Sequence, residues 1–404
     1  MQLVEHHRIS RFDPRFVALD AMAFASKNLY NVALYITRQA YIFRGDVITY
    51  PRLAKDLRTH EAYRALPAKV SQWVLKQVCA AWDSFFAARA AYARDPSRFR
   101  GRPKLPHYKA KDGRNLLTYT IQAISVPLLR DGIIKLSGVD VEVPTQQTRI
   151  AQVRVVPHGT HYAVEVIYEQ DIQPADLNPT WSAGIDLGVS NLVAIATSKP
   201  GVAPCLVNGR PLKAINHAYH KARARLQAKL PAGRFTSRQL DALTDARNRR
   251  VRDYLHHASR AIITWLVQER IGTLIIGHNP DWKQDIRLGR RTNQTFVSIP
   301  FARLIQMLTY KAELVGITVI THDEAYTSKC SFFDHEPVSK RTTYAGKRIH
   351  RGLFRTASGM RVNADINAAY NQIANVAPDA FGPGRRGCVV QPVRIAQPNL
   401  KQAS

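Results

Sequence analysis

The pattern of apolar residues changes once along this chain, and that change limits the folds it can adopt. Before about residue 183, two helical patterns are followed by short alternating strands in segment 116–170, separated by Asp-Gly, Ser-Gly and His-Gly-Thr turns. After residue 183, short apolar strands alternate with amphipathic helices, which is typical of a layered α/β fold. Because 404 residues also exceed one ordinary domain, we predict an α+β multidomain protein whose first domain closes as a small β-barrel.

These pattern changes predict the following organisation. The first domain spans residues 1–175 with a helical insertion at about 15–100, a linker spans 176–182, and the second domain spans 183–380 with a basic helical insertion at about 208–270 and an irregular segment at 326–362, before a tail at 381–404.

Basic residues are in large excess. The chain has 58 Lys and Arg against 30 Asp and Glu, a net charge of +28, which favours a polyanionic partner over a merely cationic enzyme. Segment 98–114 has seven basic residues, one acidic residue and two aromatic residues, and segment 208–260 has thirteen basic residues against three Asp. Each segment fits either a phosphate-binding surface or a solvated charged surface.

We expect the nucleic-acid contacts to come mainly from the first of these segments and from the loop after the strand at 273–277. The candidate residues are Arg98, Arg100, Arg102, Lys104, Tyr108, Lys109, Trp282, Lys283, Arg290 and Arg291.

Cysteine usage and hydropathy bear on the compartment. The four cysteines are widely separated and form no CxxC pair, which fits a reducing environment. The N-terminal residues contain no apolar signal region, and no apolar run approaches the ~18 residues that a membrane span needs. We therefore expect a cytoplasmic protein without a membrane partner.

Two aspartates stand in unusual places. Asp186 interrupts an otherwise apolar strand, and a buried carboxylate there needs a cation or a metal ion. Asp365 opens the last predicted helix. Simpler interpretations exist for both: a buried salt bridge for Asp186, and a helix N-cap for Asp365. Taken together, they match the RNase H/RuvC arrangement, in which carboxylates from different elements bind two Mg²⁺ or Mn²⁺ ions for phosphodiester hydrolysis.

Six ordered segments resemble the TnpB family, the RNA-guided nucleases of insertion-sequence transposons and relatives of type V CRISPR effectors. They are SKNLYN (26–31), GRPKLPHYK (101–109), GIDLGVSNLVAIAT (184–197), QMLTYKAELVG (306–316), YTSKC (326–330) and NADINAAYN (363–371). The resemblance implies a wedge-like N-terminal domain that holds a guide RNA and reads a short DNA motif. It also implies an RNase H-like RuvC domain that cuts double-stranded target DNA, with Asp186 and Asp365 as metal ligands, and a monomer on one RNA.

The chain departs from this family at the second RuvC acid. The usual Glu falls on Gly277 or His278, neither of which is a carboxylate. Glu324 ends the next predicted strand, and neighbouring strand ends lie ~4.8 Å apart. We therefore hypothesise a relocated catalytic and metal-binding triad of Asp186, Glu324 and Asp365. Weaker substitutes are Asp281, Asp323, which should face away from Glu324, and Glu313, which we expect to be solvated.

The second departure concerns zinc. The family usually has a four-cysteine ribbon in the region of segment 326–362, but this segment has one cysteine, Cys330, and two histidines without paired spacing. We predict no zinc site, a buried Cys330, and an apolar cluster around Phe332 and Phe333 in its place.

Three functions follow from these observations. The first is an Mg²⁺-dependent, RNA-guided DNA endonuclease encoded by a transposon, with its own guide RNA and double-stranded DNA as partners. The second is a nuclease-inactive, RNA-guided repressor, which the missing Glu favours. The third is a DNA transposase that would use the same two-metal site to join strands.

Overall fold

The structure is a computed structural model that describes residues 1–278, 289–382 and 387–395. It divides into two units, Met1–Gln170 and Asp171–Ser404. Within the described ranges, no helix is long and apolar enough to cross a membrane.

The first unit combines long helices with an antiparallel sheet. In chain order its elements are β1 (Gln2–Ser10), α1 (Arg15–Arg44), α2 (Tyr50–Leu57), α3 (Glu61–Arg64), α4 (Ala68–Arg94), β2 (Leu117–Thr120), α5 (Val126–Arg130), β3 (Ile133–Lys135), β4 (Glu142–Pro144), β5 (Ile150–Pro157) and β6 (His161–Glu169). The helices α1 to α4 occupy the predicted insertion at about 15–100.

The sheet of the first unit is open and does not form the predicted closed barrel. Its strand order is β1-β6-β5-β2, and β3 and β4 form a separate two-stranded sheet. Helices α1 and α4 pack on the sheet, and their apolar residues join those of the strands in one core. Because helices already bury the apolar face, the sheet does not need to close on itself.

The second unit begins with β7 (Asn178–Leu187), β8 (Asn191–Thr197) and β9 (Cys205–Asn208). It continues with α6 (Arg210–Gln227), α7 (Arg238–Gln268), β10 (Ile271–Gly277), α8 (Arg290–Val297), α9 (Phe301–Leu314) and β11 (Thr318–His322). After these come β12 (Lys347–His350), β13 (Leu353–Arg355), β14 (Arg361–Asn363), α10 (Ala364–Val376) and β15 (Val393–Arg394).

A mixed sheet forms the centre of the second unit. Its order is β11-β10-β7-β8-β9-β15, with β7, β8 and β9 antiparallel and β10 parallel to both β7 and β11. Helices α7 and α9 contribute to the core on one side, and α10 packs against β7, β8 and β10. The predicted alternation of apolar strands and amphipathic helices is therefore present as layers around one sheet.

Three predicted segments contain strands in the structure. Residues 178–182 of the predicted linker belong to β7. The pairing of β10 with β7 shifts register between Ile271 and Thr273, and this irregularity accommodates Pro179 within β7. The predicted tail contributes β15, which pairs with β9. Segment 326–362, predicted as irregular, contains β12 and β13 and the start of β14, which pair as a small antiparallel sheet.

Gly184 allows α10 to lie close against β7. A Cβ atom built on Gly184 would lie 2.2 Å from the backbone oxygen of Ala369. No side chain larger than hydrogen fits that gap without moving the helix backbone. The close approach places the first turn of α10, with Asp365, beside the carboxyl end of β7.

Candidate carboxylate site and nucleic-acid interface

Asp186 lies next to the last residue of β7, in the middle of the sheet. It pairs with Ala194 of β8, and the preceding Ile185 pairs with Ile276 of β10. Its side chain is half-buried and lies in a concave part of the surface, with protein atoms around it. Burial raises the pKa of Asp186 well above its ordinary value; the carboxylates of Asp365 and Glu324 raise it further, and Arg348 opposes them.

Asp365 lies in the first turn of α10, but it is not the N-cap. Asn363 is the cap, because its side-chain oxygen accepts hydrogen bonds from the backbone N–H groups of Asp365 and Ile366. The carboxylate of Asp365 is free for other contacts. It accepts a hydrogen bond from Asn191 Nδ2 at 2.9 Å and an ion-paired one from Arg348 Nη2 at 3.1 Å.

Glu324 lies two residues beyond the end of β11, in a tight turn. Asp323 accepts a hydrogen bond from the backbone of Ala325, and the backbone oxygen of Glu324 accepts from Thr327. Tyr326 has a φ of 65°, which is unusual for a bulky residue. Burial, with Asp323 as a smaller cause, raises the pKa of Glu324 to about 7.

These three carboxylates are neighbours without being a preassembled metal site. Asp365 and Glu324 both act electrostatically on Asp186, yet within the described ranges no three His, Cys, Asp or Glu side chains are close enough to hold a metal ion together. The two findings agree if the contacts of Asp365 with Asn191 and Arg348 hold its carboxylate back. Among the described residues, the carboxylates of Asp186 and Glu324 have no hydrogen-bond partner, and only the nearby Arg348 partly compensates the charge of Asp186.

Gln372 occupies the space next to Gly277, where the family's second acid is expected. A Cβ atom on Gly277 would lie 2.2 Å from Nε2 of Gln372, a fully buried residue of α10. The next residue, His278, donates its backbone N–H to the backbone oxygen of His322 on β11. A carboxylate at position 277 would therefore require Gln372 to move.

The weaker substitutes are less suitable than Glu324. Asp323 and Glu313 are both exposed, and the carboxylate of Asp323 caps its own turn. Asp281 lies outside the described residues.

The segment expected to carry zinc in the family contains an aromatic cluster here. Cys330 is fully buried, as predicted. Phe332 stacks on Tyr370 of α10 with ring centroids 4.7 Å apart, Phe333 packs edge-on against Phe332, and Phe381 completes the cluster. These contacts attach the segment to α10 through apolar packing. The absence of zinc stays a prediction.

The basic segment after α4 is an ordered strap on α1. Arg38 donates to the backbone oxygen of Pro106 and lies over the ring of Tyr108. Asn31 hydrogen-bonds both the N–H and the C=O of Lys109, whose ammonium lies over the ring of Tyr30. The strap is therefore a fixed surface.

The candidate contacts on the strap point to solvent. Arg98, Arg100, Arg102, Lys104, Tyr108 and Lys109 are all exposed, and among the described residues the four from Arg98 to Lys104 have no ion-pair partner. Uncompensated exposed cations on an ordered backbone suit phosphate binding. Trp282 and Lys283, and the side chains of Arg290 and Arg291, lie outside the described residues.

The sequence did not single out two side chains that contact Asp365. Asn191 is the first residue of β8, after the short turn that follows the strand of Asp186. Its position in the segment GIDLGVSNLVAIAT, close in sequence to Asp186, could have indicated it. Arg348 is one of many arginines in a segment without a recognisable motif, so only the structure places it beside Asp365.

Two family models match separate parts of the chain. The family model OrfB_IS605, a probable transposase, matches residues 161–283. The model of the Cas12f1-like TNB domain matches residues 301–372. No curated protein matches the chain.

A solved Cas12 structure has a similar fold. The Cas12f1 chain of a complex with sgRNA and target DNA is 14% identical, with a TM-score of 0.58 over 88% of this chain and 81% of that one. The mini-RNA-guided endonuclease Cas-phi3 is 10% identical, with a TM-score of 0.48 over 97% and 94% of the two chains. CasPhi-2 bound to crRNA is 9% identical, with a TM-score of 0.46 over 96% and 99%. Of these three, the first carries the conclusion that the fold is shared.

The fold is thus similar to that of the Cas12f1 chain. Together with the two family models and the six sequence segments, this similarity supports a TnpB-like protein.

Proposed function

We propose that this TnpB-like protein is an RNA-guided DNA endonuclease encoded by a transposon. The observation that carries the proposal is the proximity of Asp186, Glu324 and Asp365 at one end of the central sheet. Two of them, Asp186 and Glu324, are enclosed carboxylates with raised pKa values and no hydrogen-bond partner among the described residues. Enclosed carboxylates with perturbed pKa values are candidates for functional groups. A guide RNA and double-stranded DNA are the proposed partners of the monomer, and the ordered basic strap supports them.

The donor set fits a hard divalent cation. Carboxylate oxygens suit Mg²⁺ or Mn²⁺, and a cation would compensate the charges of Asp186 and Glu324. Asp186, Glu324 and Asp365 would hold it, after Asp365 exchanges its contact with Arg348. When bound, such ions activate a water molecule and stabilise the leaving oxygen of a phosphodiester.

The protein's own residues would prepare that reaction. Asp186 is fixed by the centre of the sheet, Asp365 by the capped end of α10 and Glu324 by its tight turn, so three different elements fix the three carboxylates. Asn191 orients Asp365 through its hydrogen bond. Once Asp365 is released, the guanidinium of Arg348 is free to pair with a DNA phosphate at the same site.

The order of strands supports assignment of the second unit as an RNase H-like RuvC domain. Three antiparallel strands are followed by two strands parallel to the first of them, and the first strand carries Asp186. Helices α6 and α7 would then be its basic insertion.

A nuclease-inactive, RNA-guided binding protein is the second candidate. Gln372 against Gly277 favours it, because the usual place of the second acid is filled by a neutral side chain. The ion pair of Arg348 with Asp365 also fits a site that no longer binds metal.

A plasmid-cleavage assay tests the proposal. The protein is co-expressed with the RNA from the 3′ end of its own locus, and the purified complex is given matched targets behind a randomised flank with Mg²⁺. We expect cleavage by the wild type and loss of at least ~10³-fold in Asp186→Asn and in Glu324→Gln, as for other groups that act in the transition state. Glu313→Gln, an exposed Glu of the same unit, is the matched control and should cut normally.

Two results would contradict the proposal in different ways. Intact plasmid that stays bound to the complex would support the repressor. Full cleavage by Glu324→Gln, with none by Asp186→Asn, would keep the nuclease but reject Glu324 as the relocated acid.

A further inference from the structure

A cavity of about 480 Å³ opens in the second unit, beside the elements that carry the carboxylates. Among the described residues that line it, four are basic and none is acidic: Lys213, His217, His220 and Arg351. We call this the cationic pocket. Its composition is the reverse of the carboxylate site, so it would attract an anion.

The positive charge of the pocket is uncompensated. Lys213 Nζ donates to the neutral hydroxyl of Ser190 at 2.9 Å, and among the described residues neither Lys213 nor Arg351 has an ion pair with an acid. Burial and the repulsion of Arg351 and Arg210 lower the pKa of Lys213. A phosphate in the pocket would relieve this repulsion and add charge-assisted hydrogen bonds.

The base of the pocket is held in place by hydrogen bonds to uncharged acceptors. Asn216, which is 3% exposed, accepts a hydrogen bond from Arg247 Nε at 2.8 Å. Arg247 also donates to the backbone oxygen of Ser298, and His220 Nε2 lies 3.0 Å from the hydroxyl of Ser298. Helices α6 and α7 and the end of α8 are thereby tied together, so the helix that carries Lys213 does not need to be ordered when a ligand binds.

Two residues that line the pocket are close in sequence to residues of the carboxylate site. Val189 follows Asp186 by three residues, in the turn between β7 and β8. Arg351 follows Arg348, the partner of Asp365, by three residues. A strand that reaches the carboxylates would therefore pass these residues.

We propose that the cationic pocket binds one backbone phosphate of the DNA strand that enters the carboxylate site. This inference rests on the proposed nuclease function for the identity of the strand. The binding itself needs no cleavage, so it can be tested in the absence of metal.

The test compares two pairs of substitutions in the whole chain. Lys213→Gln with Arg351→Gln removes two cations from the pocket, and Lys221→Gln with Arg225→Gln removes two exposed cations of α6 that do not line it. Two affinities are measured in EDTA across a range of KCl: that of the chain for its guide RNA, and that of the RNA-loaded complex for the labelled single DNA strand. Thermal unfolding checks that both variants are folded.

We expect the pocket variant to lose about tenfold in affinity for the DNA strand. The slope of log K against log salt should fall by ~0.7, the value for one phosphate contact on a single strand. Guide-RNA affinity should stay within about threefold of the control pair. If the pocket variant and the control bind the DNA strand alike, or if only guide-RNA affinity falls, the inference is wrong.

The outcome is separable from that of the proposed function. If the protein binds the DNA strand through the pocket but never cuts, the proposed nuclease function is wrong and the proposed phosphate binding by the pocket stands. If the chain does not load RNA at all, the same DNA strand is offered to the chain alone, and the same losses are expected.

Discussion

Replacing Glu324 with Gln should abolish cleavage and, at the same time, stabilise the metal-free protein. The carboxylate of Glu324 is enclosed, has Asp323 beside it and has no hydrogen-bond partner among the described residues. Its charge is therefore a cost to the folded state that function requires. A neutral amide of the same shape removes the cost and the proposed metal ligand together.

The size and the sign of the effect follow from the pKa. Folding raises the pKa of Glu324 from its ordinary value of 4.5 to about 7. The folded state therefore binds the proton more tightly, and its stability falls as the pH rises from about 4.5 to about 7. At ~1.4 kcal/mol per pKa unit, the cost of the charge at pH 8 is at most about 3 to 4 kcal/mol.

Urea or thermal unfolding in EDTA at pH 8 and at pH 4.5 measures how much the charge of Glu324 destabilises the folded protein. Glu324→Gln should be more stable than the wild type at pH 8 by up to that amount, and the gain should nearly vanish at pH 4.5. The exposed Glu313→Gln should change stability by less than ~0.5 kcal/mol at either pH. Equal behaviour of the two variants, or a loss of stability in Glu324→Gln at pH 8, would refute the reasoning.

Three further predictions concern packing, Arg348 and zinc. Gly184→Ala should destabilise the second unit by ~3 kcal/mol or more, because the new methyl group meets the backbone of α10; Gly382→Ala, which has open space, should be neutral in the same thermal scan. Arg348→Gln should lower the Mg²⁺ concentration at which unfolding shifts to higher temperature, because the guanidinium no longer competes for Asp365; a higher required concentration would show that Arg348 supports the site. Elemental analysis should find no stoichiometric zinc despite Cys330, and one equivalent per chain would overturn that prediction.

Much of the fold could be predicted because hydrophobic periodicity is a local property. The helices of the insertion, the strand containing Asp186, and the neighbouring strands 273–277 and 318–322 all follow from runs that bury one face or both. The closed barrel could not be judged this way, since closure depends on whether helices cover the sheet. The strands of segment 326–362 were missed because they are short and weakly apolar.

The carboxylates illustrate the same division at the level of the site. Asp186 and Asp365 stood out because an acid in an apolar strand, or at a helix start, is unusual by itself. The nearness of Glu324 depended on a parallel pairing of β10 with β11, which the sequence could only suggest. Nothing local indicated that Arg348 would pair with Asp365, or that Gln372 would lie against Gly277.

The sequence by itself determined the basic character of this protein, its two-part organisation and the family it resembles, because charge, periodicity and ordered motifs are read along the chain. Only the tertiary structure decided which charges lie together. The enclosed acids of the carboxylate site and the uncompensated cations of the pocket arise from residues far apart in sequence. They come together because burial of the apolar faces of the central sheet fixes where the strand ends and the packed helices lie, and with them their charged side chains.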